Sequence, residues 1–113
     1  MGKRPTLSEY RAVWLFAMFD LPVDSKEARR EYTRFRKRLL SLGFSMLQFS
    51  VYARYFATEE RSEAQRRQLR AALPPDGQVR LMAVTDHQFG KMDVFYGKKR
   101  RSCEQAPRQL VLL

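Results

Sequence analysis

The sequence predicts an α+β fold, an antiparallel sheet with its helices on one face, and three observations carry that prediction. Residues 12–19 are eight consecutive apolar side chains without polar alternation, the pattern of a central strand covered on both faces. Two stretches of helical periodicity, within 24–43 and 58–73, flank a segment rich in aromatic and β-branched residues. The length of 113 residues gives room for one core and no second.

Residues 1–9 form a basic tail led by Met1-Gly2-Lys3-Arg4-Pro5-Thr6. That start formally matches a myristoylation pattern, while Pro5 and its basic neighbours describe a solvated tail. The first strand stops at Asp20-Leu21-Pro22, because Pro22 biases Leu21 away from helix and ends regular pairing. Asp24 with Glu27 three residues later predicts the cap of a first helix. Ala28, Tyr32, Phe35, Leu39 and Leu42 make one apolar stripe along it, and Gly43 ends it. Phe44 to Phe56 lacks Gly and Pro and is too long for one ordinary strand. It predicts a bent strand or a tight hairpin near Gln48–Ser50. Thr58 caps a second helix to about Leu73, with a weak apolar side at Ala64, Leu69, Ala72 and Leu73.

Pro74-Pro75-Asp76-Gly77 is a turn, and the alternation from Gln78 to Thr85 a further strand. The order βαββαβ is the ferredoxin-like pattern. After Asp86, the residues Phe89, Met92, Phe95 and Tyr96 fit a short irregular helix, and Lys98 to Arg101 is a basic run. Leu110, Val111, Leu112 and Leu113 read as an additional C-terminal strand, which needs a sheet edge, its own or a partner's. The predicted organisation is a tail at 1–9, a ferredoxin-like domain at 10–96, and a basic linker with a terminal strand at 97–113.

Charge narrows the function. Twenty-two Lys and Arg against twelve Asp and Glu leave a net charge of +10 and a pI near 10.4. A positive field of that size on a small body concentrates polyanions, nucleic acid first. Cys103 and His87 are each single, which excludes an intrachain disulfide, a cysteine zinc cage and paired-histidine metal motifs. The cysteine usage fits a reducing cytoplasm, and no apolar stretch approaches a membrane span.

Two sets of residues offer chemistry. Asp20 is the only carboxylate between Glu9 and Asp24 and follows the apolar run. It reads either as a turn acid or as a ligand at the carboxyl end of a central strand, where ligands gather. Beside phosphates a lone carboxylate suits Mg²⁺, which keeps most of its waters. Within Lys26–Arg38, seven cations face two carboxylates, Glu27 and Glu31. Solvated helix faces ordinarily carry mixed signs. Arg30, Arg34, Lys37 and Arg38, with Arg54, are the candidate nucleic-acid contacts, since arginine grips phosphate in forked geometry. Tyr52, Tyr55 and Phe56 can stack on bases or fill the core, and Ser50 can orient a phosphate or bond the backbone at the bend.

Three stretches together, Met18-Phe19-Asp20-Leu21-Pro22, Tyr32-Thr33-Arg34-Phe35-Arg36-Lys37 and Gly43-Phe44-Ser45-Met46-Leu47-Gln48-Phe49-Ser50-Val51-Tyr52, resemble the Cas-two family, the small subunit of CRISPR spacer acquisition. Thr85-Asp86-His87-Gln88-Phe89 and the Leu110–Leu113 strand are similar to the branch found with type II systems, whose effector is the Cas-nine nuclease. The resemblance implies a cytoplasmic homodimer with facing sheets, each last strand added to the partner's sheet. It also implies a divalent metal, Mg²⁺, at Asp20 and a metal-dependent endonuclease acting on RNA or DNA. As partners it implies the Cas-one integrase and a double-stranded DNA prespacer, with strand transfer left to the integrase. Two copies of Asp20 then meet across the two-fold axis. At ~5 Å and an effective dielectric near 20 they repel by roughly 3 kcal/mol, which a shared metal or a shared proton relieves. Two other functions remain open: a free-standing magnesium-dependent nuclease, and an RNA-binding module without metal.

Overall fold

The computed structural model describes residues 10–107. Strand β1 spans Val13–Asp20, helix α1 Lys26–Ser41, β2 Ser45–Gln48, β3 Val51–Phe56, helix α2 Glu59–Ala71 and β4 Gln78–Thr85. A short helix α3, Asp86–Gly90, and a hairpin of β5 (Val94–Tyr96) and β6 (Lys99–Arg101) follow. The main sheet has the order β2-β3-β1-β4, with antiparallel neighbours throughout. That is the ferredoxin-like arrangement. The tail before residue 10 and Leu110–Leu113 lie outside the described residues.

Strand β1 runs through the middle because both its faces are apolar. Val13, Leu15, Ala17 and Phe19 face the helices and pack with Phe35 and Leu39 of α1, Leu69 of α2 and Tyr52 and Phe56 of β3. Trp14 and Phe16 face the other way and pack with Ala53 and Phe89. The predicted stripe of α1 is therefore real, with Phe35 and Leu39 at its centre. Its cap lies one residue beyond the predicted one. Ser25 is the N-cap, its Oγ accepting from the Ala28 N–H at 3.0 Å, and Asp24 stays exposed outside. A serine hydroxyl satisfies that first-turn donor as well as a carboxylate does.

The expected tight hairpin forms around Phe49 and Ser50, with Ser50 in the left-handed region at φ 63°. Thr58 caps α2 as expected, accepting from Arg61 N–H at 3.4 Å. The buried side of α2 differs from the predicted one, because Ala64 and Leu73 are exposed while Ser62 and Gln65 are buried beside Leu69. Both polar residues are tolerated there because each is bonded. Ser62 Oγ donates to Glu59 O at 2.7 Å, and Gln65 meets Arg54 and Gln68.

The segment after β4 also differs from expectation. Thr85 and Gln88 close a reciprocal capping box, yet α3 ends at Gly90, and Phe95 and Tyr96 stand on β5 rather than on a helix. Val94, Phe95 and Tyr96 favour strand, and Gly97, at φ 63°, supplies the turn that returns them along β6. The predicted boundary at 96/97 thus falls inside a hairpin. Helix α3 is pinned to β1 through Trp14, whose Nε1 donates to Asp86 Oδ1 at 2.7 Å and whose ring stacks on Phe89 at 4.0 Å.

Gly77 leads into β4 at φ 90°, and a Cβ there would lie 2.6 Å from Asp20 O and 2.9 Å from Leu21 Cδ2. Both the backbone conformation and the space exclude a side chain. Gly77→Ala is expected to cost about 2 kcal/mol or more, read as a lower urea midpoint at unchanged slope.

Candidate nucleic-acid interface

Asp20 closes β1 opposite Gln78 of β4 and is exposed. Its strand parity is that of Trp14, Phe16 and Met18, so it belongs to the sheet face away from α1 and α2. Two neighbours fix its backbone. Phe19 N–H donates to Ser50 O at 3.1 Å, holding the β2–β3 tip against the end of β1, and Gly77 abuts Asp20 O from the other side. Ser50 thus serves here through its carbonyl and its turn conformation.

Among the described residues no three His, Cys, Asp or Glu side chains cluster closely enough to hold a metal ion. Asp20, with no such cluster around it, supplies too few ligands for a zinc-type cage. It does fit a hydrated Mg²⁺ that takes its remaining ligands from water, phosphate or a second chain.

The cations sit elsewhere. Arg34, Lys37 and Arg38 of α1 line a groove of about 490 Å³ whose opposite wall is Gln68, Ala71 and Ala72 at the end of α2. Arg34 is partly committed inside it. Its Nε and Nη2 donate to Glu31 Oε2 at 2.9 and 2.8 Å, and Nη1 reaches Ala72 O at 3.4 Å, tying α1 to α2. Arg30, Lys37 and Arg38 are exposed and form no ion pair among the described residues. The structure therefore brings Arg34, Lys37 and Arg38 together and separates them from Asp20, which lies on the far side of the sheet.

Arg54 stands apart from the other predicted contacts. It shares its strand face with Tyr52 and Phe56, so it points under α2, where its guanidinium donates to Gln65 Oε1 and lies 4.5 Å over the Phe56 ring. Tyr52 is 1% exposed and stacked on Phe19, and Phe56 is buried, so neither presents a ring to a base. Tyr55 is on the opposite face, edge-on to Trp14. Burial, and then the nearby Asp86 carboxylate, push its phenol above its ordinary range near 10. Phe49 was not singled out by the sequence, yet it is 78% exposed at the hairpin tip beside Tyr32. Its place in an otherwise strand-like run concealed it.

The sheet face carrying Asp20 is unevenly covered. Phe89, Met92, Cys103 and Ala106 shelter the Trp14 end, whereas Arg80 and Met82 of β4 are exposed towards the Asp20 end. Among the described residues no helix is long and apolar enough to cross a membrane.

A family model described as CRISPR associated protein Cas2 matches residues 13–92. The chain is similar to the CRISPR-associated endoribonuclease Cas2 of Parvibaculum lavamentivorans, 48% identical over 100 residues that cover 88% of this chain and 99% of that protein. The namesake from Flavobacterium psychrophilum is 42% identical over 106 residues, covering 94% of this chain and 92% of its own. That from Paracidovorax avenae is 41% identical over 106 residues, covering 94% and 98%.

The two kinds of cation should separate in a stability measurement. Arg54→Ala leaves the buried Gln65 oxygen without its donor and is expected to cost about 1–3 kcal/mol in urea unfolding. Arg30→Gln, Lys37→Gln and Arg38→Gln should each stay within about 0.5 kcal/mol. Tyr55 gives a pH signature. Its folded-state pKa is raised, so its contribution is complete below about pH 10 and is lost as pH climbs through the folded value. Unfolding free energy measured across that alkaline range should fall less steeply in Tyr55→Phe.

Proposed function

The chain belongs to the CRISPR-associated Cas2 family, and from that premise we propose that it is the dimeric scaffold of spacer acquisition, holding prespacer duplex DNA and bridging integrase dimers. The observation that carries this reading is the unneutralised cationic side of α1. Arg30, Lys37 and Arg38 are exposed without ion pairs among the described residues, in a chain whose net charge is +10. Cations left unpaired on one side release counterions when phosphates replace them, which supplies sequence-independent affinity. A homodimer with facing sheets is supported by the exposed Met82 and the half-buried Met18 and Val51 on the face that α1 and α2 leave open. Leu110–Leu113 would then complete the partner's sheet.

A second reading, a magnesium-dependent endonuclease, is favoured by the exposed Asp20 and by the relatives' name, endoribonuclease. Asp20 from each of two copies would hold the ion, which would neutralise charge developing on a phosphodiester. The chain's own part is to hold that carboxylate between the β2–β3 tip and Gly77. The scaffold reading does not need the cleavage.

The two readings part in experiment. The combined substitution Arg30→Gln, Lys37→Gln and Arg38→Gln is expected to weaken duplex binding and to shallow the plot of log affinity against log salt by about 2.7 for each protomer that engages the duplex. An unchanged slope would remove α1 from the interface. Asp20→Asn is expected to abolish magnesium-dependent cleavage while leaving duplex affinity and co-purification with the integrase intact. Cleavage that persists in Asp20→Asn, with contaminating nuclease excluded, would sink the metal assignment.

A further inference from the structure

Neither the carboxylate nor the helix groove uses the β5–β6 hairpin, which is chemically unlike the rest of the surface. Lys98, Lys99, Arg100 and Arg101, its last four residues, are all cationic. Phe95 and Tyr96 are 59% and 63% exposed. Strand parity divides these residues between two sides. Phe95 pairs with Arg100, and Arg100 is neutralised by Asp93 at 2.7 Å. Tyr96 pairs with Lys99 and shares its side with Arg101, whose guanidinium lies 5.2 Å over the phenol ring. That side has no carboxylate partner among the described residues.

We propose that the Tyr96–Arg101 side is a stacking platform for an unpaired base of single-stranded nucleic acid, with Lys98 and Lys99 gripping the adjoining phosphates. A ring left in water beside unneutralised cations has the two elements that single-strand sites combine, a π-face and a positive track. Arg101 holds one face of the ring in a cation–π contact and leaves a flat surface flanked by charge. A duplex shows base faces only at its ends, so the exposed ring selects an unpaired base. An apolar protein partner would gain nothing from the cations of the turn. The tight turn at Gly97 sets Lys99 opposite Tyr96, with Lys98 next to it in the chain. The surface is distinct from the α1 groove, and it extends the proposed function from duplex to strand ends or loops.

The test compares fluorescence anisotropy of the full chain with a labelled oligothymidylate of about eight nucleotides and with a duplex, at two salt concentrations. Tyr96→Ala is expected to weaken oligothymidylate binding about tenfold, and Tyr96→Leu equally, while Tyr96→Trp retains it and duplex affinity is unchanged in all three. Lys98→Gln with Lys99→Gln should shallow the single-strand salt slope by about 1.4. Three results would overturn the platform: Tyr96→Ala binding the oligonucleotide like the parent, Tyr96→Leu binding as well as Tyr96, or Tyr96→Ala changing the oligomeric state in size-exclusion chromatography. The last would make the ring a subunit contact. The helix-groove reading stands or falls separately, on duplex binding by the α1 variants.

Discussion

Burial of β1 on both faces is the constraint from which the rest of the molecule follows. A strand of eight residues with no polar position before its last, Asp20, cannot lie at a sheet edge or leave a face in water. It must sit between β3 and β4, take α1 and α2 over one face and find a second cover for the other. Each large side chain on it contributes roughly 1.5–3 kcal/mol when fully buried. Asp20 inherits its place from this arrangement, because the strand's parity decides its face and the strand's end decides its exposure.

The same layering separates two functions of charge. Cations on the outer side of α1 and the carboxylate at the end of β1 belong to opposite sides of the sheet, so a single nucleic-acid segment does not meet both on one protomer. The proposed phosphate grip and the proposed metal site are thus spatially independent within one chain. A second copy, facing the first across the open sheet face, would bring carboxylate to carboxylate and leave both cationic helices outside. In the proposed dimer the grip would stay exposed and the carboxylate would be enclosed, which would favour holding a long polyanion over cutting it.

Much of this was legible in the sequence because the strongest signals were long. The unbroken eight apolar residues of β1 mark a strand covered on both faces, and the stripe at Phe35 and Leu39 repeats often enough to fix the buried side of α1. Arg54 shows where charge alone misleads. Composition marks it as one more cation, whereas its alternation with Tyr52 and Phe56 places it under α2. The polar side of α2 was illegible for a related reason, since Ser62 and Gln65 are buried by virtue of partners rather than hydrophobicity. Strands β5 and β6 have three residues each, too few for any period to show. The shift of the α1 cap from Asp24 to Ser25 is a choice between adjacent residues that satisfy the same donor.

Trp14, the only tryptophan in the chain, has an optical consequence. Its indole is hydrogen-bonded to Asp86 and stacked on Phe89, and both belong to α3. Its emission therefore monitors the seating of α3 on the sheet, while far-ultraviolet dichroism is dominated by α1 and α2 on the other side. Coincident transitions in the two signals would mean that both faces of β1 melt as one cooperative unit. Divergent ones would mean that the face carrying Asp20 loosens first. The molecule thus carries a built-in gauge of the surface on which a second copy would dock.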